Sequence, residues 1–226
     1  MRVKLSSLAT LTVCLLFLAS SAFAGTFSIP VANYSFETLP VGGLNNDCSE
    51  GGLYPGCAYS TGEPIPGWTI TGATGQWTTG GYVGNPPAYD GSVLAYSNGG
   101  TISQNVIAAV AGETYTLNVE ILHRTDVPMT GIAQLTLNGV VVATATGIDP
   151  GPGKWSDWTA LFTATPAEAG EELGILLTSN GTQGDWDDVQ LEASILEASI
   201  DEPSTLATLL GSSIFGLAAV LRRKLI

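Results

Sequence analysis

Thr114-Tyr115-Thr116-Leu117-Asn118-Val119-Glu120-Ile121-Leu122 decides the fold class. Tyr115, Leu117, Val119 and Ile121 alternate with Thr116, Asn118 and Glu120, which is the period of a strand with one face in a core and the other wet. Asn138-Gly139 lies between two further alternating runs and signals a tight hairpin, so Ala133 to Ala145 form an antiparallel pair. Outward from these, similar short runs stand at Phe27 to Asn33, Gly67 to Thr71, Gly75 to Thr78, Ser92 to Tyr96, Thr101 to Ile107, Trp155 to Thr163, Leu173 to Thr178 and Trp186 to Glu192. Gly, Pro, Asn and Asp separate them, and no segment before the C-terminal tail keeps a helical period. The pattern predicts an all-β domain over residues 25–193, a jelly-roll β-sandwich, with a β-barrel as the alternative way of closing the sheet.

The chain has 226 residues, of which 45% are hydrophobic and 12% charged, a composition that folds and allows one domain. Residues 1–24 carry Arg2 and Lys4, an apolar run from Leu8 to Leu18 and a small-residue end at Ala22-Phe23-Ala24, the layout of a secretory signal peptide. At the other end, a linker over 194–201 precedes Glu202-Pro203-Ser204, an uncharged run from Thr205 to Leu221, and Arg222-Arg223-Lys224. As a helix that run would reach about 26 Å, just under the roughly 30 Å of a bilayer core, with the basic cluster on the cytoplasmic side. Between the signal and the basic tail stand only two cations, Arg124 and Lys154, while all twenty acids of the chain lie between Glu37 and Glu202. So acidic a surface lacks the cations that grip phosphate, which excludes nucleic acid as a partner. Cys14 leaves with the signal, and the two remaining cysteines, Cys48 and Cys57, are expected to form a disulfide that staples the Gly-rich loop from Val41 to Gly62. A metal or redox pair is the alternative, disfavoured by a spacing too wide for CxxC and by the lack of a nearby His.

The tail resembles the PEP-CTERM sorting signal of exopolysaccharide-producing Gram-negative bacteria, with Asp201 in place of the first proline of the motif and Glu202, Pro203, Ser204, Arg222 and Arg223 matching the rest. The resemblance implies an exosortase-like membrane processing enzyme as partner, a transient inner-membrane anchor through the C-terminal helix, and a final place at the cell surface or in the extracellular matrix. In the body, Asn33-Tyr34-Ser35-Phe36-Glu37, Pro66-Gly67-Trp68 and Asp187-Asp188-Val189-Gln190-Leu191 resemble, in that order, the opening, second and closing motifs of galactose-binding-like jelly rolls, among them carbohydrate-binding modules. That resemblance implies a structural Ca2+ joining the first and last strands through Glu37 and Asp187. The strand period places Asp187 with Val189 and Leu191, toward the sandwich interior, where a carboxylate needs a partner, and Asp188 outward with Trp186 and Gln190.

Trp68 and Trp158 share strand faces with Ile70 and with Ala160 and Phe162, and so belong to the core. Trp155 falls on the other phase, and Trp77, Tyr82 and Tyr89 sit in a Gly- and Pro-rich stretch expected to be loop; these four are the candidate platform for a sugar ring, against the reading that they cap the sandwich ends. Arg124 and Asp126 could hold ligand hydroxyls, or form an internal salt bridge. No G-x-S-x-G, P-loop, G-x-G-x-x-G or His-based zinc motif stands in the body, and His123 is isolated. The expectation is a noncatalytic surface or matrix protein that binds extracellular polysaccharide, with a ligandless structural protein and a carboxylate-dependent glycosidase as alternatives.

Overall fold

The alternating stretch is the centre of strand β8 (Glu113–His123), and Tyr115, Leu117, Val119 and Ile121 are all buried in the main core. The computed structural model describes residues 24–196, which form one compact unit. Two antiparallel sheets face each other across that core. The larger sheet contains β1 (Ala24–Ile29), β2 (Asn46–Asp47), β3 (Ala58–Tyr59), β5 (Thr74–Thr78), β6 (Leu94–Asn98), β8, β11 (Lys154–Thr163) and β13 (Gln183–Leu196). Its order is β11-β8-β13-β6-β5-β3-β2, with β1 beside the C-terminal half of β13. The smaller sheet runs β10 (Val140–Thr144), β9 (Gly131–Leu137), β12 (Glu172–Ser179), β7 (Thr101–Ala108) and β4 (Thr69–Thr71). The described residues contain no α-helix, only 3-10 turns at Tyr82–Gly84 and Pro166–Glu168. This is an all-β sandwich, consistent with a jelly roll.

Local chemistry explains the main elements. Asn138 and Gly139 have φ of 48° and 78°, the two positive values that a tight hairpin of the right twist demands, and they join β9 to β10. Leu135, Leu137, Ile175, Leu177 and Ile102 of the smaller sheet pack against Tyr115, Leu117, Ile121 and Trp186 of the larger one. Trp68 is buried there too, and Trp158 packs against the core from a partly buried position.

Strand β13 departs from the simple period. Asp187 pairs with Glu120 but Gln190 with Asn118, so one extra residue is inserted on β13. Asp188 takes that bulge with φ 46°, and its N–H donates to Asp187 Oδ1 at 2.8 Å. A bulge of one residue reverses the facing of everything beyond it. Trp186 therefore points into the core together with Val189, Leu191 and Ala193, while Asp185 and Asp187 point to the opposite face of the large sheet. The expectation that Asp187 shares the core face with Val189 and Leu191, and that Trp186 faces outward, is corrected by this insertion. β13 also continues to Leu196, so the segment expected to be linker from residue 194 begins as strand.

The signal peptide up to residue 23 and the whole sorting motif, with Glu202, Pro203, Ser204, Arg222, Arg223 and the helix expected over 205–221, lie outside the described residues. Among the described residues no helix is long and apolar enough to cross a membrane.

A tight contact ties the large sheet to the loop above it. A Cβ built on Gly75 would lie 1.8 Å from the Ser60 carbonyl oxygen. Gly75→Ala is expected to lower stability by about 1–3 kcal/mol, read from urea unfolding; an unchanged midpoint would show that this approach is not close.

Candidate functional site

The outer face of the large sheet carries a second apolar cluster, separate from the main core. Cys57, Trp77, Ala88, Leu94, Tyr96 and Leu122 are buried in it, with Cys48, Tyr54, Tyr59, Tyr82 and Trp155 partly buried around them. The loop that closes over this face is pinned by the Cys48–Cys57 disulfide, whose Cα atoms are 5.1 Å apart. Closing so short a loop constrains the unfolded chain by about 2–3 kcal/mol in the chain-entropy model. Trp77 Nε1 donates to Cys57 Sγ at 3.5 Å, so the bridge also seats on the sheet.

Between loop and sheet lies a cavity of about 450 Å³. Trp77 of β5, Tyr59 of β3 and Tyr96 of β6 give it aromatic walls, and Tyr82 adds another from the turn after β5. Asp47, Cys48 and Glu50 come from the disulfide loop, Gln183 and Asn98 from the paired starts and ends of β13 and β6, and Arg124 from the residue after β8.

Asp185 stands opposite Tyr96 in the sheet, two residues from Gln183 on the same face. It is fully buried. Oδ1 accepts from Gln183 Nε2 at 2.8 Å, and Oδ2 has no partner among the described residues. Burial pushes its pKa up to about 7, against the opposing effects of the Arg124 charge and the Gln183 hydrogen bond. A buried carboxyl that can be neutral at neutral pH, with a free oxygen beside an aromatic cavity, is equipped to deliver a proton. The motif reading passed over Asp185. The signal that could have found it is the alternation of Asp185 and Asp187 around Trp186.

Arg124 and Asp126 form the internal pair that was one of the two readings for them, with Nε and Nη2 donating to the carboxylate at 2.8 and 2.6 Å. Burial alone would raise the Asp126 pKa, but hydrogen bonds and charge from Arg124, with Asn85, outweigh it and hold it below the usual range. The Arg124 guanidinium also lies 4.9 Å from the Trp77 ring centroid.

The expected sugar platform does not assemble. Trp77 is a strand residue, 4% exposed, so the expectation of an exposed loop aromatic is corrected: its ring is packed between Cys57, Tyr82 and Arg124. Tyr82 is held edge-on between Tyr54 and Trp77. Tyr89 is 53% exposed and meets Trp155 edge-on at 6.2 Å, while Trp155 Nε1 donates to the Pro87 carbonyl at 3.0 Å. Tyr89 and Trp155 do not line the aromatic cavity.

Glu37 and Asp187 are both held by the loop from Asp90 to Val93. Glu37 Oε1 accepts from the N–H groups of Ser92 and Val93 at 2.8 and 2.7 Å, and Oε2 from the Ser92 hydroxyl. Asp187 Oδ2 accepts from the Asp90 N–H at 2.9 Å and Oδ1 from the Asp188 N–H. Each carboxylate thus caps a loop with N–H donors, and no group of three or more His, Cys, Asp or Glu side chains placed to hold a metal occurs among the described residues. Burial pushes Asp187 up to about 7 in spite of those N–H donors.

A family model described as "HpiC1-like: HpiC1 cyclase" matches residues 27–192. Among solved structures, the Stig cyclase Fisc from Fischerella sp. TAU, in complex with (3Z)-3-(1-methyl-2-pyrrolidinylidene)-3H-indole, is 21% identical; the match covers 76% of this chain and 100% of that one, with a TM-score of 0.59. A cyclase from Fischerella sp. TAU in complex with 4-(1H-indol-3-yl)butan-2-one is 22% identical over the same shares, with a TM-score of 0.56. The CBM22-1 xylan-binding domain of Paenibacillus barcinonensis Xyn10C is more remote, at 14% identity and a TM-score of 0.44 over 80% of this chain and 100% of that one, and carries no argument about binding. No curated protein matches the chain. The family match overturns the expectation of a noncatalytic surface or matrix protein, with or without a ligand, because the matched family is one of cyclases, which are enzymes, and it points to ring closure where the remaining alternative had glycoside hydrolysis. With well over half of its residues matched by that model, the chain belongs to the HpiC1-like cyclase family.

Proposed function

We propose that this chain is a cyclase that starts ring closure by proton donation from Asp185 to an aromatic-bearing substrate held in the cavity of the large sheet. One observation carries the reading: the fully buried Asp185 carboxyl, with Oδ2 unpartnered among the described residues, stands opposite Tyr96 in the sheet and two residues from Gln183, both of which line the cavity with Trp77, Tyr59 and Tyr82. Family membership and the indole ligands of the two Fischerella cyclases support an indole or similar ring as the aromatic part.

The proton balance needs no cofactor. Asp185 passes its proton to an unsaturated acceptor on the substrate, leaving a carboxylate and an electrophilic carbon. An electron-rich double bond of the same molecule attacks that carbon, forming the ring bond. The proton displaced from the resulting cation returns to Asp185, so the product is an isomer of the substrate. Aromatic faces stabilise the transient positive charge, and the dry surroundings of Asp185 favour its neutral acid form until the proton leaves. Export of the enzyme and processing of its tail by an exosortase-like enzyme belong to the same proposal; the Cys48–Cys57 disulfide supports an oxidising compartment.

Two outcomes are expected. Incubation with indoles carrying an alkenyl side chain is expected to give a product of unchanged mass, followed by liquid chromatography with mass detection. Asp185→Asn is expected to slow that conversion by about 10²-fold or more, and the wild-type rate is expected to fall as pH rises through about 7, where the acid form is lost. Full activity in Asp185→Asn would refute the assignment of the proton donor. The second outcome concerns stability. Asp185 and Asp187 both have folded pKa values near 7, above their unfolded values, so the native state holds protons that the unfolded chain releases between about pH 4 and 7. Their stabilising contribution is complete below that window and disappears as pH rises through 7. Melting temperature is therefore expected to decline from pH 5 to 8, and Asp185→Asn to flatten the decline; Asp47, Asp126, Asp149 and Glu168 are shifted downward and act at lower pH. A flat wild-type profile would contradict both assignments.

A further inference from the structure

His123 is the single histidine of the chain, and the fold gives it a partner that stands 26 residues further on. It is the last residue of β8, where the Gly153 N–H donates to its carbonyl at 2.6 Å and Lys154 pairs with it at the start of β11. The loop that joins β10 to β11 runs back over this corner. A Cβ on Gly147 would lie 2.7 Å from the Trp158 ring, so the loop enters flush against that side chain. It then brings the Asp149 carboxylate to the imidazole, with Nδ1 and Oδ1 2.6 Å apart. Oδ1 also accepts from the Gly151 N–H at 2.8 Å, and these two bonds hold Asp149 below the usual carboxylate range. A carboxylate only accepts, so Nδ1 carries the proton. Nε2 is left as an acceptor, and nothing donates to it among the described residues.

This pair borders an open cavity of about 460 Å³, distinct from the aromatic one: His123 and Asp149 line the former and not the latter. Val127, Pro128 and Met129 give it an apolar wall. Its other charged groups, Arg124 and Asp126, are bonded to each other at 2.8 and 2.6 Å. The charges around the cavity are thus paired within the protein, and the half-exposed Asp149 is open to water. We propose that this cavity is a second ligand site, in which a small alcohol or phenol lays its apolar body on Val127, Pro128 and Met129 and donates its O–H to His123 Nε2. An anion would meet the carboxylates of Asp126 and Asp149. An ammonium ion would exchange its hydration for one nitrogen acceptor. A neutral hydroxyl gives up least, and its single donor matches the single acceptor. Asp149 acts as a positioning residue that fixes the tautomer and the aim of the ring. The site lies apart from ring closure, since neither Asp185 nor the aromatic walls take part in it.

The test reads the imidazole itself. The full chain, purified without a polyhistidine tag and labelled with nitrogen-15 histidine, gives ring-nitrogen NMR signals from His123 alone. In the free protein at pH 8 the Nδ1 signal is expected to be that of a protonated nitrogen and the Nε2 signal that of an unprotonated one. The probes are 4-methylphenol, 4-methylanisole, which lacks the donor, and 4-methylbenzylamine, which carries a charge. 4-Methylphenol is expected to shift the Nε2 signal in a saturable way and to bind about tenfold more tightly than 4-methylanisole, the weight of one net hydrogen bond. Asp149→Ala is expected to weaken phenol binding by a similar factor, while Asp149→Asn, whose amide oxygen still accepts from Nδ1, retains most of it; melting curves establish that each variant is folded. Should Asp149→Ala fail to fold, the wild-type comparison of phenol and anisole decides alone. A proton on Nε2 in the free protein, equal affinity for the anisole, tighter binding of the amine, an Nε2 signal unmoved by the phenol, or undiminished affinity in folded Asp149→Ala would each overturn the proposal. A phenol held only in the aromatic cavity would leave the signal unmoved.

Discussion

The extra residue at Asp188 sets what the large sheet can do. On β8 the apolar residues keep one unbroken phase from Tyr115 to Ile121. Its partner β13 must give that same core Trp186 on one side of the bulge and Val189, Leu191 and Ala193 on the other, which an uninterrupted period of two forbids. The αL turn at Asp188 resolves the conflict. Aspartate tolerates that conformation better than most side chains, and the site gains hydrogen bonds from Asp188 N–H to Asp187 and from Gln190 Nε2 to Asp188. The same step delivers Asp185 and Asp187 to the outer face, away from the sandwich core. Without it, either the core loses Trp186 and the outer face its acid, or the core loses Val189, Leu191 and Ala193.

Burial then decides what that acid is. A carboxyl on an open sheet face would be ionised at neutral pH and useless as a donor. Here the disulfide loop, with Trp77, Tyr96 and Leu122 beneath it, removes water from the face. Desolvation outweighs Arg124, whose charge is largely spent on Asp126 at 2.6 Å. Structural and chemical roles are therefore shared: the bridge that shortens the loop also shapes one wall of the cavity, and the ion pair that fixes Arg124 weakens its hold on Asp185.

Much of the sandwich was legible in the sequence because its signals are local. The alternation around Leu117, the Asn138-Gly139 turn and the pairing of Cys48 with Cys57 each depend on a few neighbouring residues, and each appears in the structure. The site was much less legible. Reading β13 by strict alternation carried Asp187 into the core, because a bulge has no reliable signature in a run of acids. Trp77 falls within a short strand run but beside a Gly- and Pro-rich stretch that reads as loop, and its burial depends on β5 packing under the disulfide loop, where Gly75 admits the Ser60 carbonyl. Arg124 and Asp126 were singled out as a unit, yet their proximity to Asp185 depends on β8 lying beside β13, a long-range pairing that no local pattern reveals. The enzymatic character was missed for the same reason: a lone buried acid has no motif, and its chemistry comes from the strands packed around it.

The central claim is that Asp185 is a neutral acid near pH 7, and carbon-13 NMR of the labelled aspartate carboxyls, assigned by comparison with Asp185→Asn, measures it directly. The account predicts that the Asp185 signal titrates with a midpoint close to 7. A midpoint near 4, the value of a solvated aspartate, would contradict it.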